Sequence, residues 1–139
     1  MRKLFLKTLI ALLTLLLAGC NSALPTPSIQ IPERFQQIAE ETAENIINGL
    51  SKQDYEIFSK NFDPKMKAAI PSTAMIEVQK LLWGQNGEFQ MIQTKSVYEE
   101  KGYFIGDFDL TFEKGKISMR VIYSPIAPYQ VSGLWFPTN

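Results

Sequence analysis

Residues 104–123 alternate between apolar and polar side chains on either side of a turn, and this pattern limits the possible folds more than any other feature of the chain. Alternation with a period of two is typical of strands that bury one face. We therefore predict a β-hairpin that turns at Lys114-Gly115. Its apolar face carries Phe104, Phe108, Leu110, Phe112, Ile117, Met119, Val121 and Tyr123.

The turn also predicts how the two strands pair. A two-residue loop at Lys114-Gly115 places Phe112 opposite Ile117 and Asp109 opposite Arg120. The first pair is apolar and the second is opposite in charge, so this register places compatible side chains opposite each other on both faces of the hairpin. We expect Asp109 and Arg120 to form an ion pair on the face turned away from the core.

Helical patterns come before this hairpin, and further strands flank it. Apolar residues at helical spacing predict helices over residues 32–49, 51–62, 63–70 and 71–84, the first ending at Asn48-Gly49 and the last at Gly84. An earlier strand runs from about Glu88 to Tyr98, with a bulge near residues 93–96, and the last strand covers residues 129–136. The order predicts an α+β domain with its N-terminal helices packed on a curved four-stranded antiparallel sheet.

The first 19 residues have the pattern of an export signal. Arg2, Lys3 and Lys7 precede an apolar run at residues 9–17. The sequence Leu17-Ala18-Gly19-Cys20 then resembles the lipobox of bacterial lipoproteins, in which the cysteine receives a diacylglyceryl group and becomes the first mature residue. Only about 13 residues separate Lys7 from Asn21, too few for the ~20 of a membrane span. We expect lipidation at Cys20.

A proline-rich tether follows the predicted anchor. Residues 20–32 contain three prolines and no charge, so the segment reaches at most about 40 Å at ~3.1 Å per residue. We therefore expect a signal peptide at 1–19, the lipidated cysteine and tether at 20–32, and one domain at 33–139. In bacteria with two membranes, an Asp after the lipidated cysteine resembles a retention signal for the inner membrane. Residue 21 is Asn, so in such a source we expect the protein in the outer membrane. In either case we expect the domain to be exported and to lie on the extracytoplasmic side.

Composition excludes several kinds of chemistry. The chain has no His, so it lacks imidazole-based triads, His metal ligands and His proton shuttles, and its single Cys closes no intrachain disulfide. Loss of the three basic signal residues leaves 11 basic against 14 acidic residues, which suits no nucleic acid. We expect no metal, no cofactor and no catalytic residue.

Helices followed by a long curved sheet resemble the nuclear transport factor 2-like (cystatin-like) superfamily. Four segments are similar to one of its uncharacterised families, domain-of-unknown-function family 3887: residues 54–59, 62–67, 87–89 and 112–115. The resemblance runs from about Glu33 to Phe136. It implies a cone of helices over the sheet and pairing of two chains through the sheet, but it carries no catalytic residue to this chain.

Three groups of residues are candidates for function. Asp107 and Asp109 share a strand face, where paired carboxylates bind cations or transfer protons, but a pair between Asp109 and Arg120 is the favoured explanation, because a single strand supplies too few oxygens for a cation. Tyr103, Ile105 and Ile122 are expected on the outer face of the sheet, where a homodimer interface is plausible.

The third group consists of aromatic residues. Trp83 and Trp135 lie at the ends of elements, beside Gly84 and Gly133, and Tyr123 is on the apolar face. We predict that they line a partly enclosed apolar pocket under the helices, whereas ordinary core packing is the competing explanation.

These features favour a lipid-anchored binding or interaction module. Its expected partners are the membrane, through the anchor, and either a small apolar ligand or an envelope protein. The alternative is a small enzyme of the same fold that uses carboxylate and Tyr acid/base chemistry.

The anchor yields a direct prediction. Cys20→Ser preserves size and polarity but removes the acylated thiol, so the variant is expected to be exported yet to leave the detergent phase in a phase-partition assay. Equal recovery of both proteins with the membrane would contradict lipidation.

Overall fold

The structure is a computed structural model that describes residues 30–137. The predicted signal peptide, Cys20 and most of the tether lie outside the described residues. Helices precede strands, as the sequence predicts, and the α+β class is confirmed. The elements are α1 (Phe35–Lys52), α2 (Tyr55–Phe58), α3 (Pro64–Ala69), α4 (Ser72–Asn86), β1 (Phe89–Glu100), β2 (Tyr103–Phe112), β3 (Gly115–Tyr123) and β4 (Val131–Trp135).

Helix α1 runs past the predicted end at Asn48-Gly49 and stops at Lys52, where Gln53 adopts a left-handed conformation as the C-cap. Gly49 is buried inside the helix. A Cβ atom at this position would overlap the backbone of Phe58 in α2. Gly49 is therefore a packing residue that lets α2 approach α1, and the prediction that it ends the helix is wrong.

Aspartates cap the two short helices. The Asp63 carboxylate accepts a hydrogen bond from the Met66 amide at 2.7 Å, and Pro64 occupies the first turn, which confirms the predicted start of α3. Asp54 is the N-cap of α2, and its carboxylate accepts hydrogen bonds from the amides of Glu56 and Ile57. The helix predicted over residues 51–62 is thus limited to Tyr55–Phe58.

Helix α4 also continues beyond its predicted end. The helix passes through Gly84 to Asn86, and Gly87 follows it at a φ of 77°. Glycine adopts this positive φ at little steric cost, whereas Gly84 sits in open space and imposes no stop. Helix continuation past Gly84 corrects the predicted boundary by two residues.

The strands form one antiparallel sheet in the order β1-β2-β3-β4, curved and not closed into a barrel. The helices pack against one side, which we call the core face, and we call the opposite side the outer face. The core face carries fully buried side chains, including Phe104, Phe108, Leu110, Met119, Val121 and Tyr123. The predicted apolar face of the hairpin is thus confirmed.

The pairing of β2 with β3 differs from the predicted register by two residues. Phe112 lies opposite Gly115, so the loop residues are Glu113 and Lys114. Asp107 consequently lies opposite Arg120, while Asp109 lies opposite Ser118. The predicted Asp109–Arg120 pair is wrong, but the faces are right because a shift of two residues keeps every side chain on the same side.

Irregular pairing occurs at both outer strands. The register of β1 against β2 shifts between Thr94 and Ser96, which confirms the predicted bulge, and again between Phe89 and Met91. The free edge of β4 is met by an isolated parallel bridge between Phe62 and Val131. This bridge holds the start of α3 beside the last strand.

Within residues 30–137 no helix is both long enough and apolar enough to cross a membrane.

Two helix glycines give a matched test of this packing. Gly49→Ala forces a Cβ into the backbone of Phe58 and is expected to lower the free energy of unfolding by about 3 kcal/mol. Gly84→Ala meets nothing within 4 Å and is expected to raise it by about 0.5 kcal/mol through helix propensity. Urea denaturation followed by circular dichroism measures both, and effects of the same sign would contradict the close α1–α2 contact.

Candidate functional site

Tyr123 is fully buried on the core face, and its hydroxyl group is already bonded. The hydroxyl donates a hydrogen bond to the Ala39 carbonyl of α1 at 3.2 Å, and the ring centroid lies 5.1 Å from that of Phe35. Burial raises the pKa of Tyr123 far above its usual range, so the phenol stays neutral. Tyr123 is thus a buried link between the sheet and α1.

Trp83 packs against two phenylalanines of the sheet. Its ring centroid lies 5.2 Å from that of Phe112 in an edge-to-face arrangement and 6.4 Å from that of Phe89. Contacts of this kind are typical of aromatic core clusters. Trp83 therefore anchors the end of α4 on the sheet.

Trp135 lies on the opposite side of the molecule. It pairs with Arg120, whose guanidinium points to the outer face, and 52% of its surface is exposed. A Cβ atom on Gly133 would overlap its ring, so the indole folds back along β4. Trp135 and Tyr123 occupy different faces of the sheet, and the structure does not bring the three predicted pocket residues together.

Residues next to the two tryptophans in sequence, Leu82 and Phe136, line a hollow at the C-terminal end of α4. The hollow has a volume of about 300 Å³ and lies between that helix, the start of β3 and the end of β4. Leu81 and Leu82 lie on the helix side, and Ile117 and Phe136 lie on the strand side. This hollow is the structure's counterpart of the predicted pocket, but it is open and lined by different residues.

The outer face presents fewer apolar residues than the sequence predicts. Tyr103 is exposed over 47% of its surface, but Ile122 is half-buried and Ile105 is only 3% exposed. Ile105 is paired with Tyr98 on one side and Ile122 on the other. The expectation of an exposed Ile105 is wrong because its cross-strand neighbours cover it.

Two open hollows meet at Ile122 and form what we call the outer-face groove. The larger hollow, about 580 Å³, lies between α3 and the sheet, and Met66, Tyr103 and Ile122 line it. The smaller, about 370 Å³, extends from Ile122 to Trp135 and Arg120. The full lining is Asp63, Lys65, Met66, Ala69, Tyr103, Arg120, Ile122, Ser124, Ser132, Trp135, Phe136 and Pro137.

The sequence predicts Tyr103 and Ile122 on this face, but it places Trp135 in a pocket under the helices and does not indicate the wall supplied by α3. Met66 and Ala69 belong to α3, which begins just after the bridge between Phe62 and Val131. The capped start at Asp63-Pro64 is a visible signal for the helix. Nothing in the local pattern indicates that it lies beside β4.

A polar cluster borders the groove on the outer face. Arg120 donates two hydrogen bonds to the Asp107 carboxylate, at 2.7 and 3.0 Å, and the Tyr98 hydroxyl donates a third at 3.3 Å. Burial raises the pKa of Tyr98, and the Asp107 carboxylate raises it further. Asp107 is thereby committed to Arg120 and Tyr98.

The two aspartates do not form a metal site with their neighbours. Among residues 30–137, no group of three or more Asp, Glu, Cys or His side chains is placed to hold a metal ion. Asp107 and Asp109 share the outer face, as predicted, but they lie opposite different residues of β3.

Comparison with known proteins identifies the family. The family described as "Protein of unknown function (DUF3887)" matches residues 43–125, more than half of the chain. The chain belongs to this family. The DUF3887 match spans most of α1 to the end of β3, so it includes Met66, Tyr103 and Ile122 but not Trp135. No match was found among the curated proteins or among the solved structures.

The polar cluster gives a prediction that distinguishes the two aspartates. Asp107→Asn removes the charge beside the Tyr98 phenol, so the pKa of Tyr98 is expected to fall, because the phenolate then faces Arg120 without a competing carboxylate. Asp109→Asn is the matched control and should leave that pKa unchanged. An NMR titration of ¹³C-labelled tyrosine measures both variants, and an equal fall in the two would contradict the register.

Proposed function

We propose that this chain is an exported lipoprotein, anchored through Cys20, whose domain is an interaction module that binds an envelope protein through the outer-face groove. The anchor rests on the charged start, the apolar run and the position of the single cysteine in Leu17-Ala18-Gly19-Cys20. The proposed location is the extracytoplasmic side of the membrane, and the outer membrane where the source has two.

The observation that carries the binding role is the contrast between the two faces of the sheet. The core face is filled over most of its area by side chains from α1 and the strands, and its one buried tyrosine is bonded to Ala39. A hollow of about 180 Å³ remains between Glu40 and Glu44 of α1 and the sheet residues Ile92, Thr94 and Phe108, and it is smaller than either part of the outer-face groove. The outer-face groove, in contrast, leaves Tyr103 and Trp135 about half exposed. Exposed aromatic residues beside an arginine have the composition of interface hot spots, since Trp, Tyr and Arg dominate binding energy at such surfaces.

The polar cluster supports recognition of a protein rather than of a lipid-like molecule. Arg120 is 44% exposed at its side chain while bonded to Asp107, so it presents a fixed charge pair at the border of the groove. Partly exposed charges contribute more to specificity and association rate than to affinity. The groove is also open along its length, which suits a peptide segment better than a small molecule that needs enclosure.

The same architecture supports placement in the nuclear transport factor 2-like superfamily. Helices lie on one face of a curved and open antiparallel sheet, as that cone requires. A second copy of the chain is one candidate for the protein partner, through the same face of the sheet.

A small apolar ligand is the second candidate function. It is favoured by the hollow of about 300 Å³ at the end of α4, where Leu81 is 55% exposed beside Leu82, Ile117 and Phe136. Apolar side chains line most of this hollow beside Gln85, Asn86 and Lys116, and a mostly apolar lining with a few polar groups is typical of small-molecule sites.

A photo-crosslinking residue in the native host tests the groove. Placed at Ser118 on the outer face, it is expected to yield a covalent protein adduct, whereas the same residue at Glu41 on the exposed side of α1 yields none. Trp135→Ala should reduce the adduct by about tenfold, corresponding to the ~1.4 kcal/mol or more of a hot-spot residue.

Leu81→Ala is the matched control, because it removes an apolar side chain of similar exposure outside the groove. An adduct with twice the mass of the chain would identify a homodimer. Loss of the adduct with Leu81→Ala but not with Trp135→Ala would move the binding site to the hollow at α4.

A further inference from the structure

The loop between β3 and β4 lies beside the point where the tether enters the domain. Residues 30–32 precede α1, and the Phe35 amide donates to the Pro32 carbonyl at the start of the helix. The Tyr129 ring lies 5.4 Å from that of Phe35 and 5.9 Å from that of Phe104. Residues 124–130, which we call the proline loop, are thus packed onto the anchored end of the domain.

The proline loop is unusually apolar for an exposed segment. Its seven residues carry no charge, and two of them are prolines. Ile126 is 75% exposed, more than any other large apolar side chain among residues 30–137. Single exposed apolar residues are common. Ile126, however, lies at the tip of an uncharged loop beside the proposed lipid anchor, so the surface of the bilayer is within its reach.

The shape of the proline loop is fixed by the fold. The Ser124 amide donates to the Gln130 carbonyl at 2.8 Å across the base, and the Tyr129 amide donates to the Ile126 carbonyl at 2.9 Å. Tyr129 has a φ of 58°, a left-handed conformation that is unfavourable for a residue with a side chain. Packing on Phe35 and Phe104 holds it there, so Ile126 is presented outward by a closed turn.

The length of the tether determines how far this loop stands from lipid. The ten residues from Cys20 to Ile29 reach at most about 31 Å at ~3.1 Å each, and their C-terminal end joins the domain at the proline loop. Among the ends of the domain, the one that carries Ile126 and Tyr103 is therefore the nearest to the bilayer. Tyrosine is a typical residue of the membrane interface.

We propose that the proline loop docks on the bilayer surface, with Ile126 inserted among the lipid headgroups, and so fixes the orientation of the domain. This proposal rests on the proposed anchor at Cys20. A two-chain anchor already holds the protein on the membrane, so the loop contributes orientation and not affinity. The neighbouring turn carries Glu99, Glu100 and Lys101, so docking depends on apolar contact and not on anionic lipid.

In this orientation the far end of the outer-face groove stays open to a partner. That end, at Trp135 and Arg120, lies several residues along β3 and β4 from the docked loop. The near end, at Tyr103 and Ser124, adjoins the loop, so the membrane contact and the protein contact use opposite ends of one continuous surface.

Fluorescence quenching in vesicles tests the docking. The full acylated chain carries no other free thiol, because Cys20 is its only cysteine, so Ala127→Cys accepts a single fluorophore. Phosphatidylcholine vesicles that contain spin-labelled phosphatidylcholine are expected to quench this label at least twofold more than the same label at Met91→Cys. Met91 is exposed near the opposite end of the sheet and is the matched control.

Adding Ile126→Asp to the Ala127→Cys chain should reduce quenching to the level of the Met91 control. Equal quenching at positions 127 and 91, or no effect of Ile126→Asp, would overturn the docking while leaving the anchor intact. Mass spectrometry before reconstitution counts the labels: two per chain mean that Cys20 is not acylated, and this result would overturn the anchor and the docking together.

Discussion

The packing of α1 onto the core face of the sheet is the interaction on which the rest of the structure depends. Phe35, Ala39, Ala43 and Ile46 are buried along one stripe of the helix, and they meet the side chains that alternate along β2 and β3. The hydrogen bond from Tyr123 to the Ala39 carbonyl satisfies the phenol hydroxyl that this contact buries. Because these side chains fill most of the space between α1 and the sheet, we place the proposed binding surface on the exterior.

Both proposed surfaces depend on contacts at the edges of this core. The bridge between Phe62 and Val131 holds α3 beside β4, so that Met66 and Ala69 line one side of the groove. The packing of Tyr129 on Phe35 closes the proline loop at the tether. One core thus positions both surfaces of our proposals, the groove for a partner and the loop for the membrane.

The sequence predicted the class of the fold and the side of the sheet on which each hairpin residue lies, because alternation has a period of two. It did not predict the pairing. Sliding β3 by two residues keeps every side chain on its face, so Phe112 opposite Ile117 and Phe112 opposite Gly115 satisfy the same pattern. Because of this difference, Arg120 pairs with Asp107 and not with Asp109. The polar cluster beside the groove is built on that pair.

The candidate site was less predictable than the fold. The sequence predicts Tyr103 on the outer face, but the face on which Trp135 lies depends on the irregular pairing of the short strand β4, whose register against β3 shifts between Ile122 and Tyr123. The predicted helix end at Gly49 was wrong for a related reason. In sequence, a glycine that allows close approach to Phe58 cannot be distinguished from a glycine that ends a helix. Long-range contacts decide both cases, and local patterns do not contain them.

We propose above all that the domain acts through its exterior, because side chains fill most of its interior. Native mass spectrometry of the acylated protein, purified from its own host in a mild detergent, tests this claim most directly. The account predicts a mass equal to that of the chain and its anchor, alone or with a bound protein, and no retained small molecule. A stoichiometric apolar ligand that survives purification would contradict it.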